Sequence, residues 1–248
     1  MLKLRFRNMV GEDLPMKELL SVSRGVGVSI SIKKVKDYEA LIDIDDLTKA
    51  INVFSRLVLI REVTDDYGIE IYRRRRQLSN DPGKPHLDTD IAMLMLNLAG
   101  VVQGDAVLDP FSGVGTISAV ARHLDINVVS IDISSGFTDA RGDATLLPIR
   151  QGSLDAIVTD PPFNRLHTVD SRLDHIYHQF LLEASITLKP CGRLSFVYPS
   201  YLSEYVEDAL METDLDLYAY GVQYINDAFS RVIMTLTKDG NKCPMMYS

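Results

Sequence analysis

Three apolar runs of strand type each end in an acid, and this recurrence restricts the fold more than anything else in the chain. Val107-Leu108-Asp109 runs into Pro110-Phe111-Ser112-Gly113-Val114-Gly115. Val128 to Ile131 ends in Asp132, and Leu154 to Thr159 ends in Asp160-Pro161-Pro162-Phe163. A helix-like stretch, Ile117 to Leu124, lies between the first two runs. Strands alternating with helices make a mostly parallel sheet covered on both faces. Such a sheet opens a crevice at the carboxyl ends of its strands, where all three acids fall. In the first turn, glycines let the backbone approach a ligand, and the free N–H groups of the following helix favour anionic or polar groups. Alone, a two-glycine turn serves packing as readily as binding. Asp132 follows about one βαβ unit later, as expected of a carboxylate that grips ribose hydroxyls. After Asp160 two prolines fix φ and leave carbonyls without neighbouring N–H donors, a rigid rim of acceptors.

In this order, DPFSGVGT, SIDI, GDA and DPPF resemble class I S-adenosylmethionine-dependent methyltransferases that modify exocyclic or amide nitrogens. The resemblance is closest to the tRNA guanine-N2 methyltransferases of the archaeal guanosine-10 type. It runs from about Pro85 to the C-terminus and, more faintly, through the segment before it. It implies a Rossmann-like α/β domain preceded by a small α+β domain, with S-adenosylmethionine as cofactor and RNA, tRNA above all, as substrate.

Composition sets the bounds. At 248 residues and 46% hydrophobic, the chain can bury one large core or two modest ones. Its longest apolar candidate, Ile91 to Val102, is broken by Asn97 and Gly100 and is too short to span a membrane. The N-terminus lacks the apolar core of a signal peptide. Cys191 and Cys243 lie far apart without metal-ligand spacing, so the expectation is two unpaired thiols in a reducing, cytoplasmic compartment. A net charge of −8 argues against a generic nucleic-acid binder. The charge is uneven, however. Residues 1–88 hold 16 Lys+Arg against 14 Asp+Glu, whereas the remaining 160 hold 10 against 20. An RNA-facing surface is therefore expected in the first third, around Arg73, Arg74, Arg75 and Arg76, joined by Arg165 and Arg172 from the polar loop after Phe163. Four arginines in a row are also what a solvated, salt-bridged ramp looks like.

The first 76 residues read β-α-β-β-α, with further strands near Leu59 and Ile69, a ferredoxin-like pattern. The alternation from Val28 to Val35 slips near Lys34, and Asp46 is placed to cap a helix from Leu47. Residues 77–84, QLSNDPGK, read as a linker, and 85–248 as the methyltransferase domain. The resembled family usually also carries a THUMP domain, for which this chain has no room. A separate RNA-binding or activator subunit would fill that role. A second departure lies between Asp132 and Asp143. Only ten residues separate them, too few for a full helix and a third parallel strand. The reading here is a helix of a single turn or a lost strand.

Carried over by motif, the resemblance implies a cofactor set of His86, Asp109, Pro110, Phe111, Ser112, Gly113, Gly115, Asp132, Ile133, Asp143, Ala144 and Asp160. Asp109 would sit by the methionine amino group, Asp132 on the ribose, and Asp143 with Ala144 at the adenine edge. The implied catalytic rim is Asp160, Pro161, Pro162 and Phe163. Here a carboxylate and a carbonyl accept N–H groups, and a ring stacks on the base. No metal is implied. Three competing readings remain. A protein glutamine N5-methyltransferase normally begins the tetrad with Asn rather than Asp. A DNA amino-methyltransferase would need a target-recognition insert. A non-catalytic homologue would keep the fold without turnover.

Overall fold

The computed structural model describes residues 1–7, 11, 13–75, 87–134, 138–163, 171–227 and 229–243. The first sheet is built from β1 (Leu2–Phe6), β2 (Ile30–Lys36), β3 (Glu39–Ile44), β4 (Ile60–Asp65) and β5 (Glu70–Arg73), with α1 (Leu14–Val26) and α2 (Leu47–Arg56) on it. Its order is β2-β3-β1-β4-β5, antiparallel throughout. The first four strands thus have the ferredoxin-like arrangement, and β5 extends one edge. Asp46 caps α2 as its position predicts, accepting from the Thr48 and Lys49 N–H groups at 3.0 Å each. The slip near Lys34 is a register shift between Ile32 and Lys34. Gly25 lies within α1, and Gly27 makes its left-handed cap. Leu4, Ile42, Val53 and Phe54 fill the core beneath this sheet.

The second sheet is led in by α3 (Thr89–Ala99). Its strands are β6 (Val107–Asp109), β7 (Val128–Asp132), β8 (Ala140–Arg141), β9 (Leu154–Thr159), β10 (Leu188–Pro199), β11 (Leu215–Asn226) and β12 (Phe229–Lys238). Their order is β11-β12-β10-β9-β6-β7-β8. The strands from β10 to β8 are parallel; β12 runs antiparallel to β10, and β11, antiparallel to β12, runs in the same direction as the rest. Helix α4 (Thr116–Arg122) joins α3 on one face, while α5 (Ser171–Thr187) and α6 (Ser203–Leu210) cover the other. The strand period of two is explicit in β9. Ala156 and Val158 pack with α3 and α4, and Ile157 packs with Phe180 and Val206 of the opposite layer. Ser203 is the first residue of α6, and a short 3₁₀ turn, Ser200–Leu202, leads directly into it.

The contracted crossover keeps its strand. β8 is two residues long and pairs in parallel with the end of β7, Ile131 with Ala140 and Asp132 with Arg141. Asp139 makes this compact, since its carboxylate accepts from both the N–H and the hydroxyl of Ser130 at 2.8 and 2.7 Å. The two cysteines are joined, contrary to the expectation of free thiols. Cys191 and Cys243 form a disulfide with Cα atoms 5.7 Å apart. A separation of 52 residues hid this, because β12 must return antiparallel to β10 before the two positions meet. With the pair formed, the argument from thiols to a reducing compartment falls. Among the described residues no helix is long and apolar enough to cross a membrane.

The two sheets share packing. Leu14 of α1 and Val58 and Leu59 before β4 belong to the same buried cluster as α3, β6 and β9. A buried carboxylate organises the seam. Glu18 accepts from the Val58 and Leu59 N–H groups at 2.7 and 2.9 Å and from Asn97 Nδ2 of α3 at 2.8 Å. Asn97 in turn accepts from Arg56. Burial pushes the Glu18 carboxyl above its ordinary range, and these three donors pull it back. The linker expected at 77–84 lies outside the described residues.

Candidate active site

The parallel strands place their terminal residues along one edge. β6 ends in Asp109, β7 in Asp132, and β9 delivers Asp160. A single hydrogen bond ties the first and last of these ends together. Thr159 Oγ1 donates to Asp109 at 2.7 Å and accepts from the Phe111 N–H at 3.2 Å. The start of the glycine turn and the Asp-Pro-Pro-Phe rim are therefore held by one shared hydroxyl. Asp109 is 1% exposed. Burial pushes its pKa up to about 7 against the bonds from Thr159 and Phe111, and repulsion from Asp160 and Asp132 adds to the rise. Since its folded pKa lies above its ordinary value, Asp109 favours the fold most at low pH. That contribution is lost as pH climbs from about 4 towards 7. A cationic ligand group beside it would reverse this.

The turn itself is built to receive a ligand. Gly113 has φ of +50°, and a Cβ there would meet nothing within 4 Å, so the space above it is open. The Ser112 hydroxyl is buried and has no hydrogen-bond partner among the described residues. Its own N–H is spent on the Ile131 carbonyl at 3.0 Å. Asp132 accepts from the Gly113 N–H at 2.9 Å and from the Ser134 N–H and hydroxyl at 2.9 and 2.6 Å. Burial works against its charge, but these bonds prevail and hold the carboxyl below its ordinary range. Pro110 is buried, and Phe111 meets Phe180 edge-on at 5.1 Å, which anchors the turn to α5. An open cradle, an orphaned hydroxyl and a fixed carboxylate fit a polar, ribose-bearing cofactor. Asp143 behaves as a turn cap, accepting from the Thr145 N–H and hydroxyl, which lower its pKa. Ala144 is buried and Ile133 is 65% exposed.

Asp160 keeps some solvent exposure, yet the protein mass around it pushes its pKa up to about 6, opposed by the charge of Arg231. Pro161 is buried beside it, while Pro162 is exposed and Phe163 half-buried. Two neighbours escaped the sequence reading. Arg231 lies near the start of β12, and because that strand is antiparallel to β10 it pairs with Pro199 at the same edge. It donates to Gln223 Oε1 at 3.1 Å and shares a narrow cleft with Asp160 and Phe163. Tyr177 of α5 is buried close enough for the Asp160 charge to raise its pKa, and its hydroxyl has no partner among the described residues. Neither lies near a motif, so only the topology could reveal them.

The arginine run divides. Arg74 turns inward, donating to Asp90 at 2.9 Å and to the Leu57 carbonyl at 3.0 Å. It clamps α3 to the first sheet and is not available to phosphates. Arg73 is exposed but paired with Glu70 and Glu62, and Arg75 is exposed. His86, Arg76 and Arg165 lie outside the described residues, as does the side chain of Arg172. No group of three or more potential metal ligands occurs among the described residues.

Strand order, with one antiparallel strand near the end of the sheet, gives the class I methyltransferase fold. A DNA methylase family profile matches residues 92–141, which include the glycine turn and Asp132. A profile of an RMKL-like methyltransferase domain matches 122–216, which include Asp160 to Phe163. Each profile covers less than half of the chain. Among particular relatives, tRNA (guanine(10)-N2)-dimethyltransferase of Methanothermobacter thermautotrophicus is 35% identical over 129 residues, covering 45% of this chain and 38% of that one. Demethylmenaquinone methyltransferase of Beutenbergia cavernae is 35% identical over 95 residues, covering 34% and 40%. The chain thus matches about two-fifths of the length of each of these curated relatives. The crystal structure of TrmN from Thermus thermophilus shares the fold at TM-score 0.57 and 17% identity, covering 96% of this chain and all of that one.

Proposed function

We propose that the chain transfers a methyl group from S-adenosylmethionine to an exocyclic amine of a nucleobase, guanine N2 in tRNA. The observation that carries this reading is the Thr159–Asp109 bond, which joins the cofactor-type turn to an Asp-first acceptor rim on adjacent parallel strands. The curated tRNA relative supports the choice of substrate. Ser112, Gly113 and Asp132 would hold the cofactor, with Asp109 beside its amino group. When bound, it supplies an already activated methyl, so the chain contributes orientation and exclusion of water. An aromatic amine is a poor nucleophile because its lone pair is conjugated into the ring. The Asp160 carboxylate and the Pro161 carbonyl accept its N–H groups and turn that lone pair outward, while Phe163 stacks on the base. Once methylated, the amine is acidic, and Asp160 or water takes its proton. RNA capture falls to Arg73 and Arg75, at and just beyond the end of β5, assisted by a separate RNA-binding subunit.

The test is transfer of labelled methyl to tRNA, rRNA, DNA and protein, followed by nucleoside and amino-acid analysis. N2-methylguanosine from tRNA is expected, and Asp160→Ala should lower the rate by about 10²-fold or more with cofactor affinity retained. Labelled methylglutamine with no labelled nucleoside would overturn the reading.

A further inference from the structure

The stripe Tyr177, Phe180, Leu181 and Ala184 of α5 packs into the buried cluster beneath the second sheet and is apolar but for one hydroxyl. The helix runs back from the carboxyl edge, because Thr187 leads directly into Leu188, which pairs with Leu154 at the start of β9. Phe180 meets Phe196 edge-on with ring centres 6.3 Å apart, and Phe196 pairs with Thr159, the residue before Asp160. Tyr177 lies three residues before Phe180, hence on the same face of the helix and about 4.5 Å nearer the carboxyl edge. Its ring is thereby carried one step beyond Thr159, to the level of Asp160. The ring is buried, and its hydroxyl has no hydrogen-bond partner among the described residues. A buried, unpaired hydroxyl weakens the fold, whereas phenylalanine would fill the same space without that penalty. Such a group calls for a role other than packing. Burial, and then the Asp160 charge, hold the phenol protonated, so it keeps a proton to donate.

We propose, on the methyl-transfer reading of this site, that Tyr177 is a positioning residue: its hydroxyl donates to one oxygen of the Asp160 carboxylate while the other oxygen accepts the N–H of the amine. The bond forms as the carboxylate turns to meet the amine, since contacts of this kind are often made only with substrate in place. A carboxylate held at one oxygen presents the other in a single direction, so the lone pair of the amine is aimed at the methyl group. Arg231 of β12 and Asp109 of β6 face the same carboxylate, and Tyr198 and Tyr201 face the phenol. Burial holds those two phenols protonated as well, so neither changes charge where Asp160 titrates.

Tyr177→Phe tests this, with methyl transfer to tRNA and a denaturant melt measured on the same chain. The melt midpoint should stay or rise, because an unpaired hydroxyl has been removed. The kcat should fall about tenfold or more, as for loss of a donor to a charged group, with KM for the cofactor unchanged. The acid limb of the pH–rate profile should move to higher pH, because the ionised carboxylate has lost a donor. In the Asp160→Ala background the same change should slow the reaction no further, since the two residues act as one unit. A lower midpoint with an unmoved pH profile would mark a merely structural tyrosine and overturn the proposal. A Tyr177→Phe chain that matches the parent in kcat and pH profile would also overturn it, and leave the methyl-transfer reading standing. A parent chain that methylates no nucleobase in RNA or DNA would overturn both.

Discussion

At the scale of the residue, the pair Asp160 and Arg231 decides how the site responds to pH. An acceptor carboxylate must be ionised, and with its pKa near 6 Asp160 is ionised above that pH. The methylation rate should therefore rise with pH through about 6. Arg231 favours the charged form, so Arg231→Met should move this acid limb to higher pH, whereas Arg231→Lys should largely restore it. Asp109 and Tyr177 also face Asp160, and both disfavour its charge or lose by it. A pH–rate profile of Arg231→Met that overlays the parent's would sink the assignment. The sequence showed one half of this pair. Asp160 stands in a tetrad whose chemistry is local, whereas Arg231 lies 71 positions later and is brought in by a strand reversal. Arg74 shows the converse. A run of arginines reads as one feature along the chain, but successive side chains leave a strand on opposite sides, and Asp90 waits on only one of them.

At the scale of the element, β10 carries the least regular geometry. Its pairing with β9 shifts register between Leu188 and Arg193. Within that bulge Cys191 has φ of +63°. Gly192 sits where a Cβ would meet the backbone oxygens of Lys189, Asp155 and Leu154 at 2.9, 3.1 and 3.2 Å. Backbone cannot yield as a side-chain tip can. Gly192→Ala should therefore cost about 1–3 kcal/mol, read as a lower denaturant midpoint. An unchanged midpoint would mean that the bulge relaxes freely. Pro190-Cys191-Gly192 has the composition of a turn rather than of a strand. Turn chemistry is the same in a bulge and in a connection. The strands ending in Asp109, Asp132 and Thr159 were legible because apolar runs bounded by Pro and Gly have few other uses. The strand of Ala140 and Arg141 was not, since two exposed residues carry no periodicity.

At the scale of the whole molecule, the seam around Glu18 joins what the sequence divides. Glu18→Ala would strip acceptors from two backbone N–H groups and from Asn97, all buried. A loss of about 3 kcal/mol or more is expected, each stranded donor costing about 1–3. Because Leu14, Val58 and Leu59 belong to the same core as α3 and β6, the parent chain should melt in one calorimetric transition. Two resolved transitions would show the sheets to be separately stable. None of this was visible in the amino-acid order, where Glu18 and Asn97 are two unremarkable helix residues 79 positions apart. The clamp of Arg74 on Asp90 and the bond of Glu18 to Asn97 also fix the spacing between the first sheet and Asp160. If that sheet grips the proposed RNA substrate, the substrate would be presented at a set reach, as on a caliper with its jaws locked, and the nucleotide modified would be chosen by its distance along the strand from the point of grip.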